Sequence, residues 1–129
     1  LCFVIIIPVK KKKEKFNLSN KDYSFSMEEI KIPIYKCSVL IVRGKEADRY
    51  FKATKIDERK MNASTTNYMD HDGTVVIAFV SQLPKLSTVV HELTHATQFI
   101  MNGLGHDYKK SKEPFAYLVS WLVEEFYKK

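Results

Sequence analysis

Residues 87–102 place the tightest constraint on what this chain can become. At 100° per residue, Val89, Val90, Leu93, Ala96 and Ile100 fall on one side of a helix, with Leu86 and Leu104 at its ends. Thr88, His91, His95, Gln98 and Asn102 fall in a narrow polar stripe opposite. Such a helix must bury one side and keep the other in water. Gly103 and Gly105 stop it. A second helix is expected from near Ser111 to about Tyr127, with Pro114 tolerated in its first turn. Its apolar face is Phe115, Leu118, Val119, Leu122, Val123 and Phe126, and its polar stripe is Glu113, Tyr117, Ser120 and Glu124. Two amphipathic helices joined by a short loop should pack antiparallel. Their polar stripes are then expected to meet.

The preceding residues read as a small sheet. Ile30–Val42 is rich in β-branched residues and forms one long strand or two short ones, with Pro33 pointing to an edge or a bulge. Gly44 ends it, and residues 45–55 make a helix with Ala47, Tyr50, Phe51 and Thr54 on one stripe. Residues 56–63 are polar and read as loop. A hairpin follows, with arms at 65–69 and 74–79 and the turn at Asp70–Gly73. The fold class expected is α+β. A small twisted sheet (30–42, 65–69, 74–79), mixed or mostly antiparallel, packs on the helix at 45–55, the histidine-bearing helix and the C-terminal helix.

A length of 129 residues fits one domain. Residues 1–26 carry six lysines against Glu14 and Asp22, so only +2 of the net +6 is left to residues 27–129. That body is too near neutral for a dedicated nucleic-acid binder. The basic segment is expected to be a dispensable tail, with Met27 an alternative start. Its Lys10–Lys13 run is the one place for nucleic acid or anionic lipid to touch. The apolar stretch Leu1–Val9 is too short for a membrane helix, and its lysines follow it, which suits neither a secretory signal nor a span. No membrane association and a cytoplasmic location are the expectation. Cys2 and Cys37 make no disulfide framework, in keeping with a reducing compartment.

His91-Glu92-Leu93-Thr94-His95 spells HExxH. Histidines at i and i+4 share a helix face, so both imidazoles can reach one ion. Zinc takes imidazole nitrogen and, in a catalytic site, three protein ligands plus water. Glu92 is placed to take the proton of that water. One Zn2+ per chain is expected, with Glu113 as third ligand at the start of the last helix, seventeen residues lying between it and His95. Glu124 on the same stripe is the fallback. Tyr117 is a candidate oxyanion donor or a neighbour of the ligands, and Tyr68, His106 and Tyr108 are weaker candidates. His71 reads as a turn residue.

HELTH followed by Glu113 resembles the gluzincin branch of zinc metallopeptidases. From the hairpin to Glu113-Pro114-Phe115-Ala116-Tyr117, the chain also looks like small metallopeptidase-like proteins of phages and mobile elements. The resemblance implies a minimal zincin-like domain, zinc on His91, His95 and Glu113, and Glu92 as general base. It also implies that Val75, Val76 and Ile77 belong to an edge strand along which an extended peptide substrate binds. Larger gluzincins often carry an acid one turn after the ligand Glu, where this chain has Tyr117, and a further domain for which there is no room here. The activity expected is hydrolysis of peptide bonds in a peptide or protein substrate. The alternative is a non-catalytic, metal-stabilised module on the same fold that binds protein or nucleic acid.

Overall fold

The computed structural model describes residues 10–18, 21–54, 63–68, 74–107 and 109–128. In chain order the elements are β1 (Lys10–Leu18), β2 (Lys21–Ile32), a 3-10 turn (Pro33–Tyr35), β3 (Cys37–Arg43), α1 (Gly44–Thr54), β4 (Ala63–Tyr68), β5 (Thr74–Phe79), α2 (Leu86–Gly103) and α3 (Lys112–Tyr127). The strands form one mixed sheet in the order β1-β2-β3-β5-β4. Only β3 and β5 run parallel, with Val39 opposite Val75.

Strands β2, β3 and β5 feed two cores by alternation. Val39, Ile41, Val75, Ile77 and Phe79 join Ile30 and Ile32 on the face covered by α2 and α3. Leu40, Val42, Val76 and Ala78 join Phe25 and Met27 on the face covered by α1. This two-sided burial explains the wholly apolar run Val75–Phe79, since a strand covered on both faces has no solvent side to make polar.

The same run corrects an expectation. Val75, Val76 and Ile77 do not line an edge, because β5 is paired with β3 on one side and with β4 on the other. Among the described residues β4 is the edge strand at that end, and its sequence, Ala-Ser-Thr-Thr-Asn-Tyr, is polar enough for the position.

The N-terminal segment also differs from expectation. Residues 10–26 are not a tail: β1 and β2 form an antiparallel hairpin, and Phe25 and Met27 are buried under α1. The run of four lysines that opens β1 hides this, because an edge strand is often lysine-rich. Residues 1–9 and residues 69–73, with the expected turn and His71, lie outside the described residues.

The expected strand 30–42 divides at Pro33. The proline removes a ladder donor, the chain makes a single 3-10 turn, and Lys36 takes a left-handed φ of 52° before β3 resumes opposite β2. At Gly44, φ is +58° and an added Cβ would lie 2.6 Å from Gln82 Oε1, so this turn into α1 requires glycine. No helix among the described residues is long and apolar enough to cross a membrane.

Candidate metal centre

Helix α2 leaves the sheet directly after β5 and lies on it with Val89, Leu93, Ala96 and Ile100 buried. Its opposite stripe is in solvent: His91, His95, Gln98 and Asn102 are all exposed. The helix closes with a Schellman arrangement, in which Gly105 N–H donates to Asn102 O at 3.0 Å and His106 N–H to Met101 O at 2.9 Å. Gly105 supplies the positive φ of 79°. His106 is therefore the residue after a helix cap, exposed and eleven residues past His95.

The two site histidines converge. His91 Nε2 and His95 Nε2 are 3.1 Å apart, with the rings edge-on at a centroid distance of 4.7 Å. Two Zn–N bonds of about 2.0–2.1 Å at a tetrahedral angle set their nitrogens about 3.3 Å apart. The pair thus has the spacing of two ligands on one ion. His95 Nδ1 lies 3.3 Å from Gln98 Oε1. An amide oxygen only accepts, so the tautomer that donates from Nδ1 to it is the one that keeps the Nε2 lone pair for a cation.

Glu92, one residue on, is on the buried side at 7% exposure.

The other expected residues are not brought to the pair. Among the described residues no three His, Cys, Asp or Glu side chains gather closely enough to hold one ion. Glu113 is exposed at the start of α3. The reason is geometric. With α2 ending at Gly103 and α3 starting at Lys112, an antiparallel pair sets His95 level with about residue 120 and Glu113 about 10 Å further along the axis. Glu124 is nearer in level but also exposed. Both helices lie on one sheet face, so their polar stripes point outward side by side, about 8–10 Å apart, instead of toward each other.

Tyr117 is likewise elsewhere. It is 73% exposed and lines a groove with Pro33, Ile34 and Trp121, on the flank of α3 that faces the 3-10 turn. Tyr68 falls in β4, and Tyr108 lies outside the described residues. Cys37, a free thiol, is pushed up from its ordinary pKa by burial and is a poor nucleophile at neutral pH. Comparisons of the chain with protein-family models, curated proteins and solved structures return no match.

Proposed function

We propose that this chain is a metal-dependent hydrolase of peptide bonds whose ion is held by His91 and His95. The observation that carries the reading is the approach of the two Nε2 atoms to 3.1 Å on an exposed helix face, with the Gln98 amide oxygen 3.3 Å behind the Nδ1 of His95. Zinc, when bound, would supply a polarised water at this face. Glu92 would take the proton of that water and return it to the leaving amine. The outer side of β4, rather than β5, is the edge along which an extended peptide could add as a further strand.

A purely structural metal fits less well. A structural ion ties separate elements together in a closed shell. An ion on His91 and His95 would join two turns of one helix that is already formed, in full contact with solvent.

The test is metal content and turnover together. Wild-type protein offered zinc should carry roughly one ion per chain, and His91→Ala should carry none. Glu92→Gln should keep the ion and lose about 10²–10⁴-fold in the rate of cleaving a mixed peptide library. Zinc-free wild type, or undiminished cleavage by the Glu92 variant, would overturn the proposal.

A further inference from the structure

The groove beside Tyr117 belongs to no part of that site. It has a volume of about 450 Å³ and is lined by Ile34, Tyr35, Pro114, Tyr117, Leu118 and Trp121, among others. Two of these large side chains stand well out of the surface: Ile34 is 80% exposed at the tip of the 3-10 turn, and Tyr117 is 73% exposed on α3. Large apolar side chains held this far in water, clustered with a Trp and two Tyr, mark an interaction surface.

The charge around the groove says what kind. Lys36 follows Tyr35 of the lining, and Lys112 lies two residues before Pro114. Both are exposed. Glu113 is the one exposed acid within this set of neighbours.

We propose that this face docks on an anionic lipid surface. A protruding Ile, interfacial Tyr and Trp rings and a lysine rim match the three layers of such a surface: acyl chains, headgroup boundary and phosphate. Lysine stems lie along the apolar body while their ammonium groups reach the phosphates. With no helix among the described residues able to cross a bilayer, the contact is peripheral.

Trp121 lines the groove and is the sole tryptophan of the chain, so its emission reports this face alone. Full-length protein is mixed with phosphatidylcholine vesicles with and without phosphatidylserine, then sedimented. The phosphatidylserine vesicles should pellet the protein and shift Trp121 emission to the blue, and added salt should reverse both. Each lysine near the surface contributes about fivefold in binding, so the double reversal Lys36→Glu, Lys112→Glu should weaken it at least tenfold. Ile34→Ser and Tyr117→Ser change exposed side chains, so they should leave the circular dichroism spectrum intact and weaken binding.

Four results would overturn the proposal. One is no pelleting with phosphatidylserine. Another is pelleting that leaves Trp121 emission or the Ile34→Ser variant unaffected, which moves the contact elsewhere. A third is a blue shift that grows with protein concentration without lipid, which makes the occupant a second copy. The last is a shift with an acidic, apolar peptide and none with vesicles.

Discussion

The two faces of the sheet are built from the same strands and are put to different use. Under α1 the core is aromatic and closed: Phe25 meets Tyr50 edge-on at 5.7 Å, Tyr50 meets Phe51 at 6.3 Å, and Tyr50 and Phe51 are buried. Under α2 and α3 the core is larger and mainly aliphatic, and two helices are needed to cover it. Two helices have outer flanks. One flank carries the histidine pair and the other borders the groove at the 3-10 turn. The lesson is that the candidate chemistry sits at the margins of the thicker layer, while the thinner layer supplies stability.

The strongest way to break this division is to damage each core in turn. Phe51→Ala should cost about 3–5 kcal/mol and Leu93→Ala about 2–5 kcal/mol, read from urea unfolding. Only Leu93→Ala, which lies between the histidines, should also weaken zinc uptake by the folded protein. Equal losses of zinc in both variants would mean that the faces are not separable.

A smaller effect tests where the thicker layer is locked. Arg43 Nη2 donates to Glu28 Oε2 at 3.0 Å, its Nε pairs with Oε1 at 2.8 Å, and its guanidinium lies 4.4 Å from the centre of the Phe126 ring. Arg43→Ala leaves a half-buried carboxylate without its cation and should cost about 2–3 kcal/mol. Zinc binding should be untouched.

Glu113→Ala should leave both stability and zinc stoichiometry at wild-type values, because the residue is exposed and distant in level from His95. A loss of zinc in this variant would show that α3 turns toward α2 when the ion binds.

A small effect belongs to the thin layer. Partial burial pushes the Glu46 carboxyl up, but the Ser26 N–H at 2.9 Å and the Arg49 guanidinium hold it below its ordinary value on balance. A depressed folded pKa stabilises above the ordinary carboxylate value of about 4.3 and is lost as pH falls through the folded value. Glu46→Gln should therefore flatten part of the acid limb of the stability–pH curve. The change should stay below about 1 kcal/mol, as for other exposed ion pairs.

Much of this was legible in the residues. The periodicities at 87–102 and 111–127 predict α2 and α3 almost to their ends, and Val75–Phe79 is recognisable as a strand. Its place in the sheet was legible too, since an unbroken apolar run belongs inside, but the resemblance to zinc metallopeptidases put it at the edge. The clash between Glu113 and His95 was available from the rise of 1.5 Å per residue once both helix ends were fixed. What no local pattern carried was the parallel pairing of β3 with β5, or the burial of Phe25 by a helix twenty-five residues later. Those depend on partners distant in sequence.

That parallel pairing has a kinetic meaning. The strands on either side of it are joined by short antiparallel connections, β1 to β2 to β3 and β4 to β5, and can zip from their turns. Val39 and Val75 must instead find each other across 36 residues of chain. Closing such a loop costs on the order of 3 kcal/mol in chain entropy before any contact repays it. The molecule is, in folding terms, two ready-made ribbons waiting on a single slow seam, and the helix that bears the histidines is threaded directly from that seam.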